Sequence, residues 1–146
     1  MTEEHFYELC LMVRLNNGDR EMVRELAEEL LLRGYTDPEI LDLAIADDQN
    51  WETSQPILAN MVSKLGIISA KSPAEELARI WIQRGLLAGQ SPIEAINVLW
   101  RSGSLDAFLE TKTLSDLLCW ADVAIATSDP NPALEKQIMD WLAQTT

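Results

Sequence analysis

The feature that most constrains this chain is the spacing of its apolar residues. They recur three and four apart along nearly its whole length, and nowhere alternate with period two over a useful stretch. Phe6, Leu9, Cys10 and Val13 share one helical face, and Val23, Leu26, Ala27, Leu30 and Leu31 extend the same pattern. Ile40, Leu41, Ala44 and Ile45 make a shorter stripe, followed by Ile57, Leu58, Met61, Val62 and Leu65. The second half continues with Ala74, Leu77, Ala78 and Trp81, then Ile93, Ile96 and Trp100. Leu114, Leu117, Leu118, Ala121 and Ile125 follow, and Leu134, Ile138, Trp141 and Leu142 close the series. Each stripe gives a helix one face to bury and leaves the other to water. The fold class that follows is all-α: seven to nine short-to-medium helices packed as antiparallel hairpins.

The punctuation between stripes agrees. "NNGD" at Asn16 to Asp19 separates the first two helices, and Gly34 follows the cation Arg33 at a helix C-terminus. Asp37-Pro38 starts a helix with an N-cap and a proline in the first turn, and Gly66 ends the next one. Gly85, Gly89 and Gly103 loosen or end others. "SDPNP" at Ser128 to Pro132 divides the last two helices, with Asn131 as cap. "SPAE" at Ser72 and "SPIE" at Ser91 read as the same local signal: serine cap, proline at the first helical position, glutamate at the third. The repetition is a way of starting a helix and carries no chemistry. No low-complexity linker interrupts the 146 residues, so 1–146 reads as a single all-helical domain.

Trp81, Trp100, Trp120 and Trp141 recur about one helix and one connection apart. Two such periods approach the length of a HEAT or armadillo unit, so a HEAT/armadillo-like or solenoid-like stack is one form of the expected fold, although the consensus residues of those families are missing. The four tryptophans are expected to be core anchors, one per helix.

Composition sorts the functions. There are 24 acids against 11 Lys and Arg, a formal charge of −13. Such a chain is repelled by phosphate backbones, so nucleic acid is not an expected partner. No apolar run approaches the ~20 residues of a membrane-spanning helix. The acidic start "MTEEHFYELC" does not resemble a signal peptide. Cys10 and Cys119 make no disulfide framework and are expected to be reduced and buried in a cytoplasmic protein.

Chemistry finds few handles. His5 is the one histidine, too few for a triad-plus-metal or Glu-x-x-His site. No phosphate-binding glycine loop or calcium loop appears. No cofactor and no metal is expected, and no catalytic residue is singled out. Glu29 and Arg33 form an i, i+4 pair.

One stretch departs from this pattern. Between Arg33 and Lys64 there is no base but six carboxylates: Asp37, Glu39, Asp42, Asp47, Asp48 and Glu52. Trp51 stands among them. An aromatic anchor with acids around it has the make-up of a binding centre for a basic protein; alternatively, Trp51 folds back as a staple near Ile57. The expected partner-binding residues are Glu39, Asp42, Asp47, Asp48, Trp51 and Glu52. The expected function is a non-enzymatic acidic helical domain that engages a basic protein partner, in the manner of an immunity protein or an adaptor. Two alternatives stand beside it: a helical-repeat scaffold that binds a peptide in an apolar groove, and an enzyme that uses carboxylates or Cys119.

Overall fold

The structure, a computed structural model, describes residues 1–45, 51–68, 72–102 and 105–144, with the side chains of Ile45, Trp51 and Glu52 outside the description. Among the described residues the fold is all-α: nine α-helices and one 3-10 turn, with no strand. The chain forms two compact units, Met1–Ser69 and Ala70–Thr146.

The first unit contains α1 (Glu3–Arg14), α2 (Arg20–Leu32), α3 (Pro38–Ile45) and α4 (Trp51–Lys64). Thr2 and Asp19 cap α1 and α2, their side-chain oxygens accepting the N–H of His5 at 3.1 Å and of Met22 at 2.9 Å. Each satisfies one donor that the helix itself cannot. Gly34 and Gly66 end α2 and α4 in left-handed backbone, φ 94° and 73°. The following N–H groups, of Tyr35 and Ile67, turn back to the carbonyls of Leu30 and Val62. Phe6, Leu9, Cys10, Val13, Val23, Leu26, Leu30, Ile40, Leu58 and Val62 form the core. Full burial of a side chain of this size contributes about 1.5–3 kcal/mol. Consecutive helices pack on one another, and α1 and α2 also pack on α4.

The second unit contains α5 (Pro73–Leu87), α6 (Pro92–Asn97) continued by the 3-10 turn Val98–Arg101, α7 (Leu105–Glu110), α8 (Lys112–Ala126) and α9 (Pro132–Ala143). Ser72 and Ser91 cap α5 and α6 as expected, accepting the N–H of Glu75 at 3.3 Å and of Glu94 at 3.2 Å. Asn131, at φ 35°, caps α9 through Leu134 N–H at 3.1 Å. Gly85 lies inside α5 rather than at its end. A Cβ there would stand 3.0 Å from that of Ala95, so glycine is what lets α5 and α6 approach. Gly103 lies outside the described residues.

Three of the four tryptophans are anchored in this unit. Trp141 is buried. Trp81 meets Phe108 edge-to-face with ring centroids 5.8 Å apart, and the Trp100 indole N–H donates to the Leu118 carbonyl at 3.2 Å. Trp120 corrects the expectation: it is 49% exposed. The buried stripe of α8 is Leu114, Leu117, Leu118, Ala121 and Ala124. Trp120 lies about a quarter turn from its centre at 100° per residue. Ile125, placed on the stripe by spacing, does lie on that face but is 42% exposed, in the last turn of α8. Cys119 shares the outer side of α8 and is exposed, against the expectation of burial; Cys10 is buried.

Candidate functional site

The acidic interval falls on α3 and α4 and on the residues between them. α3 begins at Pro38, where the missing N–H leaves no orphan donor. Asp37 precedes it, and its carbonyl accepts the N–H of Ile40 at 3.0 Å and of Leu41 at 3.4 Å. α4 is held in place by a polar contact in an otherwise apolar interior. Buried Gln55 accepts the Gly18 N–H through Oε1 at 2.7 Å, tying α4 to the turn between α1 and α2. Beyond it, Leu58 and Val62 enter the core.

A groove of about 500 Å³ opens between the start of α3 and the second half of α4. Pro38, Ile57, Met61 and Leu65 give it an apolar floor, and Asp37, Glu39, Asn60 and Lys64 supply the polar groups of the lining. Ile57, assigned by spacing to the buried stripe, is 43% exposed and faces this groove instead. Lys64 sits in the last turn of α4, where a cation complements the helix dipole.

Glu39 lies in the groove lining and is exposed. Asp42 is exposed on α3, outside the lining. Asp47 and Asp48 lie outside the described residues. Trp51 and Glu52 form the first turn of α4, and their side chains lie outside the description, so the choice between anchor and staple for Trp51 does too. The groove adds residues that spacing did not single out. Asp37 is legible as a cap and as one of the six carboxylates, and Lys64 only as the end of the acidic interval. Ile57 was placed in the core, and no sequence pattern pairs α3 with α4 in this register.

Elsewhere in the first unit, Arg33 pairs through two of its guanidinium nitrogens. Its guanidinium pairs with Glu3 at 2.8 Å and Glu29 at 3.1 Å and lies 3.7 Å from the centroid of the Phe6 ring. Burial opposes its charge, but the hydrogen bond and charge of Glu3, with those of Glu29, outweigh that and raise its pKa. Burial pushes the Cys10 thiol up to about 12, partly opposed by Arg33. His5 Nε2 lies 3.5 Å from Glu25 Oε1 on the surface. Among the described residues no group of three or more His, Cys, Asp and Glu converges on a metal position. Among the same residues no helix is long and apolar enough to cross a membrane.

Comparison with protein-family models, with curated proteins and with solved structures finds no match to this chain.

Proposed function

We propose that the protein is a non-enzymatic, cytoplasmic binding domain that engages a basic protein through the α3–α4 face. The observation that carries this reading is the groove itself: an apolar floor of Pro38, Ile57, Met61 and Leu65 beside the carboxylates of Asp37 and Glu39. Apolar floor supplies the area that a partner side chain can bury, at roughly 25 cal/mol per Å². The carboxylates, with exposed Asp42 nearby in sequence, attract a partner of opposite sign and speed encounter more than they deepen affinity. Asp47, Asp48, Trp51 and Glu52, expected from sequence to join this partner-binding set, follow α3 in the chain and lie, by residue or by side chain, outside the description. The apolar floor also fits the second reading, a peptide laid in a groove; the two differ in how strongly salt weakens them.

The test is affinity capture with the wild-type chain and the Glu39→Lys, Asp42→Lys double variant. The expected result is a basic protein retained by the wild type, lost by the variant, and released as salt rises from about 0.1 to about 1 M, where screening shortens from ~10 to ~3 Å. A partner kept by both chains at high salt would favour the apolar-groove reading and remove the role of charge.

A further inference from the structure

A second groove, of about 260 Å³, runs between α8 and α9 in the other unit. Trp120 lines it, and it is the most exposed of the described tryptophan side chains, at 49%. The charged residues of its lining are both acids, Asp116 from α8 and Asp140 from α9, with Gln137 and Gln144 completing one wall. Lys112 and Lys136 precede the two acids by one turn on the same helices and lie outside the lining. The volume is below the ~300–1,000 Å³ of ordinary small-molecule pockets, a size suited to one side chain. An indole face attracts a cation within about 6 Å of its centroid, and does so more strongly where water is partly excluded. The protein makes this contact with its own residues in both units: Arg79 lies 4.5 Å from the centroid of Trp141, which also lines the groove, and Arg33 lies 3.7 Å from that of Phe6.

We propose that the α8–α9 groove receives an arginine side chain of a protein partner, its guanidinium stacked on Trp120 and paired with Asp116 and Asp140. A planar guanidinium both stacks on a ring and donates in a fork to carboxylates, which an ammonium cannot do. The inference rests on the reading of a basic partner but does not require the α3–α4 groove.

The experiment is a titration of the full chain, labelled with nitrogen-15, with the peptide acetyl-Gly-Arg-Gly-amide, followed through the indole N–H of Trp120, assigned with Trp120→Phe. Parallel arms use the lysine peptide and the neutral citrulline peptide, which keeps the shape of arginine without its charge. The arginine peptide is expected to move the Trp120 signal saturably. Affinity is expected to fall by about tenfold for the citrulline peptide on the wild-type chain, and likewise for the arginine peptide on Asp116→Asn, Asp140→Asn, as the loss of one cation–π and ion-pair contact would give. Lysine is expected to bind more weakly than arginine. An unmoved Trp120 signal, or equal binding of citrulline and arginine peptides, would overturn the proposal. Saturable shifts confined to α3 and α4 would overturn it while leaving the proposed function standing. Shifts confined to α8 and α9 would support it and count against the α3–α4 groove as the basic-partner site.

Discussion

The two units each place an arginine against an aromatic ring, and they treat its charge differently. Arg33 in the first unit has side-chain exposure of 25%, two close carboxylates and a ring at 3.7 Å. Arg79 in the second is more buried, at 12%, yet its nearest carboxylate, Glu75, is 3.9 Å away, and it reaches the Trp141 carbonyl only at 3.5 Å. Among the described residues, no hydrogen-bond partner meets its buried Nε and Nη1, nor Glu76 Oε2 and Asn97 Oδ1. Burial of a charge and satisfaction of a charge are therefore separate variables, and a guanidinium gains from burial only when its donors are used. Their surfaces differ in the same sense. The first unit gathers carboxylates beside an apolar floor, and the second exposes one tryptophan between two acids.

The largest expected contrast is chemical. Native Cys119 should react fully with a thiol reagent at neutral pH while Cys10 stays inert, its thiol buried in the core. Counting modified thiols by mass before and after denaturation checks this, with one equivalent expected first and two afterwards. Two equivalents in the native protein would mean that the first unit opens readily. The raised thiol pKa of Cys10 also has a sign. The unfolded thiol loses its proton near its ordinary 9.0, the folded one near about 12, so this contribution to stability is complete below pH 9 and is lost as pH rises towards 12. Cys10→Ser or Cys10→Ala should flatten that fall.

Next in size is the packing of α5 on α6. Gly85→Ala would gain up to about 1 kcal/mol of helix propensity. The new methyl, however, meets Ala95 Cβ at 3.0 Å and Cα at 3.3 Å. Overpacking of this kind costs about 1–3 kcal/mol, so a net loss is expected in chemical denaturation. A gain would show that the second unit is packed more loosely than the structure has it.

The two arginines break the comparison most directly. Arg33→Met should lower the melting temperature, because it strands Glu29 in a half-buried site and removes the bridge from α1 to α2. Arg79→Met, which keeps an unbranched side chain and removes two donors that no described residue accepts, should leave the melting temperature unchanged or raise it. Equal losses from both would erase the distinction drawn between the units. The smallest expected effect is at the caps. Asp19→Ala in one unit and Ser91→Ala in the other should each cost about 1 kcal/mol, and a marked inequality would point to a further role for one of them.

Much of the fold was legible because its signals are local. A serine cap with proline and glutamate behind it specifies a helix start within four residues, and Ser72, Ser91 and Asn131 all cap as their sequence implies. The pair Glu29 and Arg33 was legible for the same reason. Periodicity identified the stripes but not their edges. Leu41 and Ile57 sit at stripe margins, where burial depends on which helix packs alongside, and Ile125 sits in the last turn of its helix; all three are exposed. Trp120 and Cys119 face outward against expectation because neither a large apolar side chain nor a thiol dictates burial, and size says nothing about which way a helix faces. Pairings across long separations left no trace in spacing: Gly18 with Gln55, Arg33 with Glu3, and the shared lining of the α3–α4 groove by Glu39 and Ile57. The join between the two units near Ser69 carries no glycine- or proline-rich composition and so no compositional mark.

The central claim, that the acidic face of α3 and α4 recruits a basic protein, is tested most directly by association kinetics. The rate constant for the captured partner would be measured against ionic strength for the wild type and for Glu39→Lys, Asp42→Lys. The account predicts a wild-type rate that falls steeply with salt, a variant that associates at least about tenfold more slowly at low salt, and convergence of the two at high salt, where the Debye length is only ~3 Å. Rates that are the same for both chains and insensitive to salt would contradict it.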